Sequence, residues 1–279
     1  MICEAIVRAP VSVIIPCYRC ASTIRRAVQS VIDQTQKPTE VILVDDESGD
    51  KTLAVLQELE KSYPSWIKVI ALTKNQGVAS ARNAGWAIAT QPFIAFLDSD
   101  DAWHPKKIEI QFAYMNQHPE VTLSGHMHQI LSKDDHLPNW PIQPATKAVF
   151  ISKWDLLLSN RFITPSIMLR SNISQRFSEE QRYMEDHLLW LEVLCDGAIV
   201  MRLTEKLAAT YKSSFGFEGL SSNIQAMERA ELYNYLHIYK TRRISLSSFI
   251  FLEIFSLIKY LRRLAIVKAR KILVYLGIR

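Results

Sequence analysis

The chain has 279 residues, of which 48% are hydrophobic and 22% are charged, and its formal net charge is +5. This composition excludes a disordered or fibrous protein, and the length suits one large domain or one domain with an appendage. The positive charge is concentrated at one end, because the stretch from Lys240 onward contains ten Lys or Arg and a single acid, Glu253. Such asymmetry indicates contact with a membrane surface or a nucleic acid at that end.

The cysteine and hydropathy patterns favour a reducing compartment. Cys17 and Cys20 form a C-x-x-C pair, but no second pair completes a zinc site and the four cysteines do not resemble a disulfide framework. Glu4 and Arg8 interrupt the apolar residues that a secretory signal needs, and no apolar run approaches the ~20 residues of a membrane-spanning helix. We therefore expect a soluble or peripheral protein on the cytoplasmic side, at the inner membrane.

Strands and helices alternate along the first 120 residues. Strand-like runs at 11–15, 41–44, 67–72 and 93–97 are separated by helical patterns at 24–32, 52–62 and 78–89. This alternation predicts parallel βαβ units with right-handed crossovers. Polar residues follow every one of these strands, at Pro16 to Tyr18, Asp45-Asp46, Asn75-Gln76 and Asp98 to Asp101. Since the carboxyl ends of parallel strands meet at one edge of a sheet, we expect a ligand site there.

The fourth strand ends in an acidic turn. The apolar run from Phe93 to Leu97 leads directly into Asp98, Asp100 and Asp101. Like charges this close need a cation or solvent, and carboxylate oxygens suit a divalent metal that holds a phosphate-bearing substrate. The alternative is a solvated acidic turn, in which Asp101 caps the helix predicted from Pro105.

Residues 121–215 are less regular than the first part. The patterns predict strands at 121–131, 166–169, 198–203 and 207–211, helices at 154–158 and 183–194, and a long loop over 132–147. Gly216 and Gly219 mark a hinge, and the chain beyond them is predicted to be helical. The helix at 183–194 begins with Glu185-Asp186-His187. Two acids in a first turn are favoured by the helix dipole alone, so this pattern does not by itself indicate catalysis.

Five motifs taken together resemble the family 2 glycosyltransferases. They are Val13 to Tyr18, Val44 to Asp50, Asn75 to Gly77 with Ala81 to Gly85, Phe96 to Asp101, and Glu185-Asp186. The resemblance covers roughly residues 10–215. It implies the α/β GT-A fold, a Rossmann-like, mixed and mostly parallel sheet with flanking helices, as in other nucleotide-diphospho-sugar transferases. The catalytic domain would span 1–215, with a nucleotide-binding half at about 10–120 and an acceptor half at about 121–215.

The resemblance also implies roles for residues in the nucleotide-binding half. Pro16 and Tyr18 would lie against the nucleoside, and Asp46 would accept a hydrogen bond from the uracil ring. A helix cap is the alternative role at that strand end, and we assign it to Asp50. Arg82 resembles a basic residue near the nucleotide, although a salt bridge to Asp46 or to Asp98 is an open alternative.

The remaining roles concern the metal and the proton. Asp98 and Asp100 resemble a D-x-D pair that holds Mn²⁺ or Mg²⁺ on the diphosphate, and Ser99 lies between them in the nucleotide-binding turn. Asp186 matches the general base of the family, because inverting transfer needs one carboxylate that deprotonates the acceptor hydroxyl. Only one member of the Glu185-Asp186 pair is expected to serve the site.

The predicted function is therefore transfer of a sugar from a UDP-sugar to a hydroxyl of a glycan or lipid-linked acceptor in surface-polysaccharide synthesis. The basic helical region 216–279 would contact an anionic membrane surface, or else pack as a helical subdomain or a dimer contact. No nucleic acid is expected, and a homo-oligomer is left open. The alternatives are a sugar-phosphate nucleotidylyltransferase, which would need a Gly-rich phosphate loop, and a non-catalytic membrane-associated assembly protein. His126, His128 and His187 are not assigned as metal ligands, since a third ligand is not evident for them.

Overall fold

A computed structural model describes residues 8–132, 135–143, 147–211 and 223–275, with side chains as far as residue 267. The strands are β1 (Ala9–Cys17), β2 (Pro38–Asp45), β3 (Ile67–Ala71), β4 (Phe93–Phe96), β5 (Ala102–Trp103), β6 (Val121–Ile130), β7 (Ala148–Phe150), β8 (Met168–Arg170) and β9 (Ile199–Thr210). The helices are α1 (Ile24–Ile32), α2 (Thr52–Ser62), α3 (Val78–Ile88), α4 (Lys107–Gln117), α5 (Lys153–Leu158), α6 (Glu185–Cys195), α7 (Ile224–Lys240) and α8 (Leu246–Tyr275).

All of these strands belong to one mixed sheet, in the order β3-β2-β1-β4-β8-β6-β9-β5, with β7 paired to β9. The first four strands are mutually parallel, with β1 between β2 and β4. β8 runs antiparallel to both β4 and β6, and β6 and β9 are parallel to each other. The sheet is thus mostly parallel with helices between its strands, which confirms the predicted α/β architecture.

The structure differs from the sequence prediction at β5, β8 and β9, and β7 was not expected either. The two short strands expected within 198–211 are one strand, β9, because it pairs with β6 along its whole length through register shifts around Met127. The strand expected from Ser166 begins at Met168, after a 3₁₀ turn over Thr164–Ser166. β5 was not expected, since two residues are too few for a periodic pattern. The predicted hinge at Gly216 and Gly219 lies outside the described residues.

Hydrophobic side chains fill both faces of the sheet. Val13 and Ile15 pack on the face covered by α1 and α2, whereas Ile14 packs on the opposite face with α3 and α6. α3 lies unusually close to β1, because a Cβ at Gly85 would stand only 2.6 Å from Ile14 Cγ2. Only a residue without a side chain allows that approach. Arg82, one turn earlier on α3, is thereby held over the carboxyl end of the sheet.

The C-terminal helices pack against the rest of the protein. Tyr235 of α7 is fully buried, and its hydroxyl donates to the carbonyl oxygen of Leu157 at 2.7 Å. α8 is joined to α7 by a hydrogen bond from Ser256 to Glu228 and by the ion pair of Lys259 with Glu231. One face of the predicted tail is therefore a packed helical layer. Within the described residues, none of the helices combines the length and apolar character required to cross a membrane.

Candidate active site

Arg82 is the centre of a buried charge cluster at the carboxyl edge of the sheet. Its guanidinium donates to Asp98 Oδ1 and to Glu185 Oε1, each at 2.8 Å, and only 5% of its side chain is exposed. Of the alternatives left open by the sequence, the salt bridge to Asp98 is confirmed and the one to Asp46 is wrong. The bond to Glu185 was not anticipated, because the two residues are 103 positions apart.

The acidic turn follows β4 as expected, and it is closed by the Asp101 amide, which donates to the Asp98 carbonyl oxygen at 3.1 Å. The backbone of Asp100 is held from α1, since Arg26 donates to its carbonyl oxygen at 2.7 Å. Asp101 does not cap the next helix. That helix begins at Lys107 with no side-chain cap, and Asp101 leads instead into β5. The short strand intervenes because its backbone pairs with β9.

The two acids that open α6 have different environments. Glu185 is buried on Arg82, whereas Asp186 is half-buried and accepts a hydrogen bond from the Thr164 hydroxyl at 3.1 Å. Met184, just before them, has a left-handed backbone with φ of 53°. A non-glycine residue in that conformation is strained, and such strain is concentrated at functional sites. The other carboxylate oxygen of Asp186 accepts from the backbone amide of His187 at 2.6 Å, so Asp186, unlike Glu185, is held by neutral donors and not by the Arg82 guanidinium.

Negative charge is in excess in this cluster. Burial, together with the charge of the neighbouring Asp186, raises the pKa of Glu185 to about 7 despite the Arg82 guanidinium. Burial also raises the pKa of Asp98; the Arg82 guanidinium lowers it, whereas the charges of Asp100 and Asp186 raise it. Three carboxylates thus compete for one buried guanidinium, and desolvated like charges favour proton uptake or a bound cation.

Asp46 follows β2, which is separated from β4 by β1, and it is tightly held. Its two carboxylate oxygens accept hydrogen bonds from the backbone amides of Gln76 and Gly77, each at 2.8 Å, and the side chain of Asn75 donates to its carbonyl oxygen. The end of β2 is thereby bonded to the loop before α3. Asp50 accepts from the Thr52 amide at 2.8 Å, but the cap position of α2 is held by Lys51 without a side-chain cap bond, so Asp50 does not occupy the cap position assigned to it.

The loop after β1 carries the other residues expected at the nucleotide. Pro16 lies within β1, paired with Val44 of β2, and the strand ends at Cys17. Tyr18 is 47% exposed, with the Arg19 guanidinium over its ring. Cys17 and Cys20 are both buried free thiols, and the neighbouring Cys17 thiol lowers the pKa of Cys20. The backbone amide of Cys20 donates to the Thr52 hydroxyl at 2.9 Å, which joins the loop after β1 to α2.

The histidines do not form a metal centre. His126 is buried, and burial lowers its pKa well below the ordinary value. His187 is buried, and one of its ring nitrogens hydrogen-bonds the Leu156 carbonyl oxygen at 2.8 Å. In the part of the chain that the structure describes, no group of three or more His, Cys, Asp or Glu side chains is arranged around a common point. A metal at Asp98 and Asp100 would therefore take its other ligands from substrate and solvent.

The site combines residues that sequence reasoning found and residues that it missed. The structure brings Arg82, Asp98 and Asp186 together, with Asp46 at the same edge of the sheet, two strands from Asp98. Thr164 and the Glu185 ion pair were missed. Thr164 belongs to no motif, and a contact across 103 positions leaves no local pattern in a single sequence.

Comparison with known proteins identifies relatives of this chain. The family model described as glycosyl transferase family 2 matches residues 12–174. A putative teichuronic acid biosynthesis glycosyltransferase, TuaG of Bacillus subtilis, is 33% identical over 200 residues, which are 71% of this chain and 77% of that protein. The matched model ends before the Glu185-Asp186 pair.

A second relative and a solved structure extend the comparison. The Escherichia coli UDP-Glc:α-D-GlcNAc-diphosphoundecaprenol β-1,3-glucosyltransferase WfgD is 32% identical over 190 residues, covering 68% of this chain and 71% of that protein. The mannosyltransferase PcManGT from Pyrobaculum calidifontis, in complex with GDP-Man and Mn²⁺, superposes with a TM-score of 0.65 at 14% identity. That match covers 94% of this chain and 76% of the mannosyltransferase chain, and it shows a common fold.

The shifted pKa of Glu185 predicts a pH dependence of stability. The pKa rises from 4.5 to about 7 on folding, so between these values the folded state holds a proton that the unfolded state has lost. Stability must then decrease as pH rises. In EDTA, we expect the free energy of unfolding to fall by on the order of 2 kcal/mol between about pH 5 and about pH 8, and Glu185→Gln to lessen that fall.

Denaturant unfolding at several pH values measures this effect. Glu58→Gln is the matched control, because its carboxylate is 62% exposed and paired only with the exposed Arg25. The free energy of unfolding of this control should fall with pH as that of the wild-type protein does. If the free energy of unfolding fell equally with pH in the wild type and in Glu185→Gln, the assignment of the proton to Glu185 would be contradicted.

Proposed function

The chain belongs to glycosyl transferase family 2 and is a glycosyltransferase, and we propose that it is an inverting, metal-dependent enzyme that uses a UDP-sugar. The acceptor is a hydroxyl of a glycan or lipid-linked saccharide in bacterial surface-polysaccharide synthesis. The observation that carries this proposal is the cluster in which Arg82 joins the acidic turn to the turn bearing Asp186. Relatives named for teichuronic acid synthesis and for a diphosphoundecaprenol-linked acceptor support the class of product.

The donor binds at the ends of the parallel strands in this proposal. The exposed Tyr18 ring lies beside the nucleoside, and Asp46, held by two backbone amides, accepts from the uracil ring. Asp98 and Asp100 fit a divalent cation, because Mg²⁺ and Mn²⁺ are commonly held by one or two carboxylates together with substrate phosphates. When bound, that ion would neutralise charge that develops on the departing UDP.

Asp186 performs the proton chemistry. The acceptor oxygen forms a bond to the anomeric carbon as the bond from that carbon to the UDP oxygen breaks, and the acceptor proton passes to the Asp186 carboxylate. Attack from the face opposite the leaving group inverts the configuration. The Thr164 hydroxyl donates to one carboxylate oxygen at 3.1 Å and the His187 amide donates to the other at 2.6 Å, so the carboxylate is oriented by two neutral donors. Glu185 cannot share this role while its carboxylate is bound to Arg82.

Substitution of the two acids distinguishes the base from its neighbour. Asp186→Asn should reduce transfer by roughly 10²–10⁴-fold, the usual contribution of a general base, without weakening UDP binding. Glu185→Gln should reduce it less, because an amide oxygen still accepts from Arg82. Steady-state kinetics and calorimetric titration with UDP measure both effects. Retention of most turnover by Asp186→Asn would show that another group takes the proton.

Metal removal tests the acidic turn. Transfer should be lost in EDTA and restored by Mn²⁺ or Mg²⁺, and Asp100→Asn should raise the metal concentration for half-maximal activity by roughly tenfold. Asp33→Asn is a suitable control, since Asp33 is an exposed carboxylate at the end of α1. Full activity in EDTA would contradict a metal at Asp98 and Asp100.

The outer face of α8 supports a membrane contact. Seven large apolar residues at helical spacing are exposed along it, and we refer to them as the α8 stripe: Leu246, Ile250, Phe251, Ile254, Leu257, Ile258 and Leu261. Trp154 of α5 extends the stripe, with its ring centroid 6.1 Å from that of Phe251. Beyond Glu253 the sequence contains no acid and seven Lys or Arg. An apolar face followed by basic residues matches an anionic bilayer surface, which supports placement at the cytoplasmic face of the inner membrane.

Vesicle flotation tests this contact. The double variant Ile254→Glu and Ile258→Glu should bind phosphatidylglycerol vesicles roughly tenfold more weakly than the wild type. Ile88→Glu provides the control, because Ile88 is an exposed apolar residue on α3, outside the stripe. A dimer that dissociates in the double variant, with vesicle binding unchanged, would instead assign the stripe to an interface between two copies.

The two other functions considered are not favoured. A nucleotidylyltransferase would need a Gly-rich phosphate loop after β1, where Cys17-Tyr18-Arg19-Cys20 stands instead. A purely structural assembly protein would have no need for a strained turn that holds two acids near a buried guanidinium. The family match agrees with neither alternative.

A further inference from the structure

A cavity of about 410 Å³ lies between residues 180–183 and the first half of α7, next to the turn that carries Asp186. Its lining includes Arg182 and Tyr183 from the segment before α6, and Arg229 and Tyr233 from α7. Glu180 is the acid among the described lining residues. A cavity of this size accommodates a small ligand rather than a solvent molecule. The donor is expected elsewhere, at the strand ends beside Asp46 and Asp98.

The cavity wall is physically joined to the base-bearing turn. Gln181 Nε2 donates to Asn234 Oδ1 at 2.8 Å, and Asn234 Nδ2 donates to the Met184 carbonyl oxygen at 3.1 Å. Asn234 is fully buried, so this link is shielded from water. Met184 directly precedes the Glu185-Asp186 pair. A molecule bound in the cavity would therefore lie within a few residues of Asp186, where the acceptor hydroxyl has to be.

The charges in the cavity suit a phosphate group. Arg182 and Arg229 are exposed, and neither forms an ion pair with another described residue. By contrast, Arg82 is bound to carboxylates. A planar guanidinium recognises phosphate oxygens through two parallel N–H bonds, and two arginines match the charge of a diphosphate better than that of one carboxylate. The rings of Tyr183 and Tyr233 add apolar faces on which a sugar can stack.

The cavity and α8 lie on opposite sides of α7. Glu228 and Glu231 of α7 are bonded to Ser256 and Lys259 of α8, whereas Ala226, Arg229 and Tyr233 line the cavity. At 3.6 residues per turn, these two sets of residues project from opposite faces of α7. The cavity is thus separated from the α8 stripe by both helices, and the lipid of a bound acceptor would have to pass around them to reach a bilayer at the stripe.

We propose that this cavity binds the diphosphate of a lipid-linked saccharide acceptor, with Arg182 and Arg229 as its ligands. The proposal rests on the proposed transferase function and adds to it the class of acceptor and the residues that hold it. The bound diphosphate fixes the acceptor so that a hydroxyl of its sugar reaches Asp186. No bond to the acceptor phosphate forms or breaks in the reaction.

Calorimetric titration of the full chain with farnesyl diphosphate tests the site directly. UDP and Mg²⁺ are present at saturation so that the donor cleft is filled. The double variant Arg182→Gln and Arg229→Gln should bind the probe at least roughly tenfold more weakly than the wild type. Arg25→Gln removes a charge from an exposed arginine on α1 that is paired with Glu58, and it should bind like the wild type.

Two further titrations distinguish binding through the diphosphate from binding through the lipid chain. Inorganic pyrophosphate should bind the wild type and lose affinity in the double variant, whereas binding of farnesol should not change between the two. Thermal stabilisation by UDP should be equal in both proteins, which shows that the variant is folded. Farnesyl diphosphate binding that is unchanged in the double variant, or that saturating UDP abolishes in the wild type, would overturn the assignment.

These outcomes are independent of turnover. The transferase proposal fails if Asp186→Asn keeps its activity, or if UDP does not bind. The acceptor-site proposal fails if substitution of Arg182 and Arg229 does not change the affinity for farnesyl diphosphate. In kinetics, the double variant should raise the KM for a diphosphate-linked acceptor by roughly tenfold and leave the KM for the UDP-sugar unchanged.

Discussion

The structure depends above all on one buried cation. Arg82 on α3 binds Asp98 after β4 and Glu185 at the start of α6, and so joins three segments that are far apart in the sequence. Loss of one partner from such a buried network typically costs about 3–5 kcal/mol, because the remaining charge has neither water nor a counter-ion. The same network is weak evidence for net stability, since desolvation offsets most of the attraction. Its consequence is positional, because the acidic turn after β4 and the turn that carries Asp186 are both fixed relative to Arg82.

That reference point is set by close packing rather than by electrostatics. α3 can approach β1 because Gly85 presents no side chain to Ile14, and a Cβ there would stand 2.6 Å from it. An ordinary residue would push the helix outward and carry Arg82 with it. An ion pair of 2.8 Å tolerates little displacement before it ceases to be a hydrogen bond. The small residues that the sequence shows between Val78 and Ala89 thus have a functional effect through the helix they position.

The strand ends of the first 120 residues were largely predictable from sequence, and the arrangement of the later residues was not. Alternating strands and helices determine which strand ends meet, so Asp46 and Asp98 were placed correctly by local patterns alone. The arrangement of these later residues depends on contacts between segments far apart in the sequence, which leave no helical or strand periodicity. The 3₁₀ turn carrying Thr164, the two-residue β5 and the register shifts that keep β9 continuous all follow from pairing with distant segments. Motif resemblance found Asp186, but only packing shows why Glu185 is occupied elsewhere.

The C-terminal helices help to position the turn that carries Glu185 and Asp186. Asn234 of α7 donates to the carbonyl oxygen of Met184, which also accepts the first hydrogen bond of α6, from Leu188. Because its carbonyl oxygen accepts both of these hydrogen bonds, the left-handed Met184 is restrained from relaxing to an ordinary helical conformation. A relaxed turn would rotate both acids away from Arg82. The turn that carries Asp186 is therefore held in place from α7, a helix outside the βαβ units. Because α7 is in turn bonded to α8, a contact made by the α8 stripe acts on the helix that supports the one restraining this turn.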